Sequence, residues 1–147
     1  MRPLPGVQGA ILALILVACA PVDEIHDAPA PAMVEPIPGT DRHLIRLTER
    51  AAARLAIQTA TAERASSTVD LGDRLAIPYS ALFYDSDGAT WVYTNPEPLV
   101  FVREPVTVDS VVDDVALIAG GEPGMTVVSV GATELYGAES GLGAGDH

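Results

Sequence analysis

The chain contains no lysine, and this absence dominates its charge. All eight basic residues are arginines, against 20 acidic residues, so the formal net charge is −12. A surface this acidic repels phosphate backbones, which excludes nucleic acid as an electrostatic partner. The length of 147 residues predicts one small domain and excludes large catalytic architectures such as α/β barrels.

Histidine is also scarce, which limits the chemistry available to the chain. Of His26, His43 and His147, only His43 falls in the segment predicted to fold, so a histidine triad or metal cluster lacks a second member. The Gly-rich phosphate loop followed by lysine and the GxSxG nucleophile motif are missing. We therefore expect a protein that is not an enzyme and that uses no metal or other cofactor.

Two pairs of acidic residues resemble sites, but neither fits the chemistry. The Asp85-x-Asp87-Gly88 sequence begins like a calcium loop, but Ala89 and Pro96 stand where the fifth and twelfth ligands belong. Asp113 and Asp114 are adjacent, so they point to opposite faces of any strand and do not suit glycosidase chemistry.

Cysteine occurs once, at Cys19, so no intramolecular disulfide can form. The apolar run before it, residues 10–18, is shorter than the about 20 residues that a membrane-spanning helix needs. Leu16-Val17-Ala18-Cys19 resembles a bacterial lipobox, which predicts a lipoprotein signal peptide over residues 1–18 and lipid attachment at Cys19. An ordinary signal peptide with an incidental cysteine, or an uncleaved anchor, is the alternative.

These features predict a lipid-anchored protein of the bacterial cell envelope that faces the periplasm. Ala20 is not the aspartate associated with inner-membrane retention, which slightly favours the outer membrane. Five prolines between residues 19 and 41 predict an extended tether after the lipid. Residues 137–147, rich in glycine and alanine, are expected to be a flexible tail.

The predicted domain, residues 42–136, is organised around its aromatic segment. Six of the seven aromatic residues fall between positions 79 and 101. Residues 79–84 and 89–94 are rich in aromatic and β-branched residues and predict a hairpin turning at Asp87-Gly88. Residues 95–98, with two prolines, are expected to break the chain before a strand over 99–102, and Pro105 predicts a bulge or an edge strand.

Short local sequence patterns predict the remaining strands, the helix and the turns. Residues 43–47 predict a strand, Thr48 a helix N-cap, and residues 56–62 a further strand. Residues 109–119 predict a strand pair turning at Asp113-Asp114, and Pro123-Gly124 predicts a type II turn. The predicted fold class is mainly β with one short α-helix, as a small antiparallel β-barrel or β-roll.

A regular spacing of basic residues along the predicted helix has two interpretations. Arg46, Arg50 and Arg54 repeat every four residues and predict either a basic stripe for an acidic partner or an ordinary solvated helix face.

An ordered set of short motifs carries a family resemblance. In order, the matching residues are Ile77-Pro78, Ala81-Leu82, Gly88, Trp91-Val92-Tyr93, Arg103, Pro105-Val106, Gly121, Gly124, Val127-Val128 and Gly131. This set resembles the membrane-proximal part of the periplasmic adaptor subunits, or membrane fusion proteins, of tripartite efflux pumps. Residues 44–63 are similar to the first strand and short helix of such adaptors.

The resemblance implies a domain without the rest of an adaptor. Adaptors carry a lipoyl domain, usually an α-helical hairpin, and a β-barrel domain where this chain has nine residues between Glu63 and Asp73. Since that hairpin reaches the outer-membrane channel in the family, this chain is not expected to bridge two membranes alone. The implied partner is an efflux transporter of the resistance-nodulation-division type or a full-length adaptor.

Three other interpretations stay open at the level of sequence. The first is a free-standing structural or regulatory envelope lipoprotein with no transporter partner. The second is an internally deleted adaptor remnant without function, and the third is a carrier of a metal or small molecule.

Overall fold

The computed structural model describes residues 30–65 and 74–141 of the chain. Two α-helices, α1 (Glu49–Arg54) and α2 (Ala132–Glu139), and a 3-10 helix at Tyr79–Ala81 accompany the strands. The strands are β1 (Ala32–Pro36), β2 (His43–Leu47), β3 (Gln58–Thr61), β4 (Glu63–Arg64), β5 (Leu75–Pro78), β6 (Phe83–Tyr84), β7 (Thr90–Glu97), β8 (Val100–Pro105), β9 (Thr107–Val112), β10 (Val115–Ala119) and β11 (Thr126–Val130). No helix within the described ranges is long and apolar enough to cross a membrane.

The strands form two antiparallel sheets, so the predicted mainly β class is confirmed. The larger sheet has the order β1-β2-β8-β7-β11-β3, with β6 also paired to β7. The smaller sheet has the order β4-β5-β10-β9. The pairings between described strands leave both sheets open. The early strands β2 and β3 thus pair with β8 and β11 from the later part of the chain.

The central strands of the larger sheet are buried on both faces, because their successive residues belong to different core clusters. Trp91 and Tyr93 of β7 belong to one hydrophobic cluster, which also contains Leu135 of α2. Val92, between them, belongs to a second cluster with Ile77 and Ala116 of the smaller sheet. The period of two therefore places the helices on one face of the larger sheet and the smaller sheet on the other.

The helix α1 begins as the sequence predicts. The Thr48 side chain accepts a hydrogen bond from the Ala51 amide, with Oγ1 and N 3.2 Å apart, and Glu49 lies in the first turn. Ala51 and Leu55 pack against the first core cluster together with Leu47 of the preceding strand.

Three predicted turns are present. Gly88 in the β6–β7 hairpin and Asp113 in the β9–β10 hairpin both have positive φ. Gly124 has φ 88° and the Met125 amide donates to the Glu122 carbonyl, as a type II turn requires. The predicted break at residues 95–98 is wrong in position, since β7 continues to Glu97 and turns at residues 98–99, where Leu99 has φ 63°.

Three predicted boundaries also differ from those in the structure. The predicted tether contains β1, which pairs with β2 at the sheet edge, where the missing amide of Pro36 is tolerated. The first part of the predicted hairpin strand, Tyr79–Ala81, is a 3-10 helix. The predicted tail begins inside α2, which continues to Glu139 because its last turn contacts the larger sheet. The mainly β class therefore holds with two α-helices where one was expected.

Candidate functional site

A polar depression lies between the end of α2, the β6–β7 turn and the strands β2 and β8. Its volume is about 240 Å³, and its lining includes Asp41, His43, Asp85, Arg103 and Glu139. These residues come from four separate parts of the sequence, so only the tertiary fold brings them together.

Glu139 is the centre of this site. Its side chain is 4% exposed, although it is charged and stands in the last turn of α2. One carboxylate oxygen, Oε2, accepts a 2.5 Å hydrogen bond from the Tyr93 hydroxyl, and the other, Oε1, accepts a 2.8 Å hydrogen bond from Arg103 Nε. His43 Nδ1 lies 3.1 Å from the same Oε1. The buried carboxylate is therefore paired and hydrogen-bonded, which makes its burial tolerable.

Arg103 extends this network outward. Its Nη2 donates to the main-chain oxygen of Asp41 at 2.6 Å and to the Asp41 carboxylate at 3.2 Å. Its guanidinium carbon lies 4.3 Å from the centre of the Trp91 ring, a cation-π distance. Burial by itself lowers the pKa of Arg103, but the hydrogen bond and charge of Glu139, together with Asp41, raise it overall.

Tyr93 is held as the neutral phenol. Burial is the main cause that raises its pKa, and the hydrogen bond to Glu139 and the charge of that carboxylate raise it further. The ring stacks on Phe83 with 4.9 Å between centroids. Tyr93 therefore serves the site as a hydrogen-bond donor and a packing surface.

Asp85 links the β6–β7 turn to the same network. Its Oδ2 accepts from Trp91 Nε1 at 2.8 Å, and its Oδ1 accepts from the amides of Asp87 and Ala89 at 3.0 and 2.8 Å. The Trp91 hydrogen bond is the largest cause that lowers the pKa of Asp85. Desolvation acts in the opposite direction, and the two amides and the charge of Arg103 lower the pKa further. The DSDG sequence is therefore an Asx-type turn closed on a tryptophan.

The arrangement is that of a clamp. The side-chain hydrogen bonds that the structure describes for Arg103, Glu139, Tyr93 and Trp91 join them to one another or to Asp41, His43 and Asp85. No group of three or more histidine, cysteine or carboxylate side chains suited to a metal occurs in the part of the chain that the structure describes. The network fastens α2 and the segment before β2 to the centre of the larger sheet.

The structure describes only some of the residues that the sequence singles out as candidates. Cys19, His26 and His147 lie outside the described residues, as does the predicted signal peptide. Arg46 lies on β2 while Arg50 and Arg54 lie on α1, so the spacing of four does not form a single helical stripe. All three side chains are exposed.

Sequence reasoning missed Arg103 and Glu139 as a pair. Glu139 lies in the segment predicted to be a tail, and Arg103 matches only a motif of the adaptor resemblance. One signal was available, since residues 132–139 contain Leu135 and Tyr136 three and four residues after Ala132, a spacing typical of a short helix with one buried face.

Comparison of the chain with family models, with curated proteins and with solved structures found no match.

Proposed function

We propose that this chain is a lipid-anchored protein of the bacterial cell envelope that docks on an efflux transporter of the resistance-nodulation-division type or on its full-length adaptor. It would support efflux as an accessory or competing subunit, without catalysis. One observation carries the proposal: β2 and β3, from the segment similar to the adaptor amino-terminal part, pair with β8 and β11, from the segment similar to the carboxy-terminal part. The same joining of early and late strands builds the membrane-proximal domain of the adaptors that the sequence resembles.

The segment between Glu63 and Asp73, where adaptors carry their additional domains, supports the same proposal. Glu63 pairs with Ala76, and the Ala65 amide donates to the Arg74 carbonyl at 2.9 Å. The two chain ends that would flank the absent domains are therefore hydrogen-bonded neighbours. Insertions and deletions are tolerated where both ends already meet in the fold. The domain closes without the lipoyl and hairpin parts, and it needs a partner to act in a pump.

The anchor would keep the domain near a membrane. Since β1 begins at Ala32, the twelve residues 20–31 separate it from Cys19. A fully extended chain spans about 3.3–3.6 Å per residue, so the reach is roughly 40 Å. This distance favours a partner whose docking surface lies close to the same membrane.

The test is an affinity pull-down of the full lipoprotein, tagged after His147, from gently crosslinked and solubilised envelopes. Mass spectrometry of the bound proteins is expected to recover an efflux transporter or adaptor. A Cys19→Ala variant is the control, and recovery should fall when the lipid is lost. Recovery of abundant envelope proteins alone would contradict the proposal and favour the free-standing lipoprotein.

A further inference from the structure

Part of the outer face of the smaller sheet is a continuous apolar surface, although one face of an antiparallel sheet is ordinarily polar. Cross-strand pairing defines two rows on this face. One row joins Pro78, Val115 and Val112, and the other joins Ala76 and Leu117 between Glu63 and Ser110. The residues between these rows, such as Ile77 and Ala116, point the other way and are buried in the second core cluster.

None of these five apolar residues belongs to either core cluster of the described residues. Val112 is 63% exposed and Val115 is 43% exposed, and Tyr79, next to Pro78, is 45% exposed. The Tyr79 amide donates to the Asp114 carbonyl, which holds the tyrosine beside the β9–β10 turn. We call Ala76, Pro78, Val112, Val115 and Leu117, with Tyr79, the outer apolar face.

Acidic residues outnumber arginines around the outer apolar face. Asp113 and Asp114 form the turn beside the first row, and Glu63 ends the second. Arg74 at the near end of β5 already forms an ion pair with Asp109.

The acidic rim formed by Glu63, Asp113 and Asp114 distinguishes between possible binding partners of the outer apolar face. A second copy of the chain would bring its own acids against the same acids, and an anionic membrane would be repelled in the same way. A protein segment with apolar side chains flanked by lysine or arginine would bury the valines and neutralise the rim. We propose that the outer apolar face is the surface through which this chain binds the transporter or adaptor, by such a segment. The inference rests on the proposed function for the identity of that partner.

The experiment is site-specific photo-crosslinking in native envelopes. A benzophenone amino acid replaces Val112 in the full lipoprotein, and in a matched control it replaces Met33, which is 54% exposed in β1 at the edge of the other sheet. Illumination is expected to give an adduct with a transporter or adaptor from position 112 and none from position 33. Both positions are exposed, so neither replacement should unfold the domain, and the melting temperatures verify this.

Two further variants test the chemistry of the surface. Val112→Asp should lower recovery of the partner in the pull-down by about tenfold, while Met33→Asp leaves it within about twofold. Asp113→Asn with Asp114→Asn should lower the yield of the position-112 adduct by about threefold, since exposed charge pairs contribute little each. Glu134→Gln, on the exposed side of α2, is the matched control for charge.

Each outcome separates the two proposals. A pull-down that recovers the transporter or adaptor while position 112 gives no adduct with it would overturn this docking surface and leave the proposed function standing. An adduct between two copies of the chain, or with lipid alone, would overturn the occupant named here. Failure of both the pull-down and the crosslink would overturn both proposals.

Discussion

The hydroxyl of Tyr93, at the centre of the larger sheet, donates to the Glu139 carboxylate, 46 residues later in the last turn of α2. Arg103 completes the contact from the neighbouring strand β8, because its Nε donates to the other carboxylate oxygen. A single acidic side chain thus ties the end of the described chain to two central strands. The stability of α2 in its place depends on this side chain.

Removing the Glu139 carboxylate should destabilise the domain strongly. Glu139→Ala leaves the Tyr93 hydroxyl without its acceptor and the largely buried Arg103 with Asp41 as its remaining acid, and breaking a buried pair in this way costs about 3–5 kcal/mol. Urea unfolding should show the loss, with Glu134→Ala, at an exposed position of the same helix, within about 0.5 kcal/mol of the parent. A loss of less than about 1 kcal/mol for Glu139→Ala would contradict the clamp.

The position of the domain boundary can be tested by truncation. A chain ending at residue 136, the boundary that the sequence predicts, lacks Glu139 and the last turn of α2. It should melt several degrees lower than a chain ending at residue 141, which retains every contact described here. Equal melting temperatures would place α2 outside the cooperative unit.

Two glycines beside and within α2 should respond in opposite directions to alanine. Gly131, the N-cap, has φ 95°, and a Cβ there would collide with the Ile57 side chain. Gly131→Ala should therefore destabilise the domain by more than about 1 kcal/mol. Gly137 lies in the helix interior with open space around it, so Gly137→Ala should stabilise by about 0.5–1 kcal/mol. Chemical denaturation of both variants measures the two signs.

Asp85 should contribute to a fall in stability in acid. Its pKa is lowered in the folded chain from the ordinary 3.8, chiefly by the Trp91 hydrogen bond, with burial opposing. A lowered folded pKa means that the stabilisation is fully present above pH 3.8 and is lost as the pH falls through the folded value.

Asp85→Asn should accordingly flatten the acid limb of the unfolding free energy against pH. Asp87→Asn, in the same turn, is the control, since the Asp87 side chain makes no hydrogen bond that the structure describes. Urea titrations between about pH 2 and pH 5 compare the slopes. An Asp85→Asn variant with the parent's slope would show that the Trp91 bond does not perturb this carboxylate in solution.

Features that depend on local chemistry could be predicted from the sequence. The Thr48 cap, the turns at Asp87-Gly88 and Pro123-Gly124, and the strand pair around Asp113-Asp114 follow from side chains that bond their own backbone or tolerate positive φ. The mainly β class follows from alternating β-branched and aromatic residues. The lipid site at Cys19 and the efflux partner remain sequence-based proposals.

Tertiary structure alone decided how distant residues meet. The proline-containing strand β1 exists because the edge of the larger sheet accepts it, and α2 exists past residue 137 because Glu139 reaches Tyr93 and Arg103. The apolar outer face of the smaller sheet also required the register, since only cross-strand pairing places Pro78, Val115 and Val112 side by side. Contacts between residues far apart in sequence carry no local signal, and for that reason the clamp and the proposed docking surface could not be predicted from the chain.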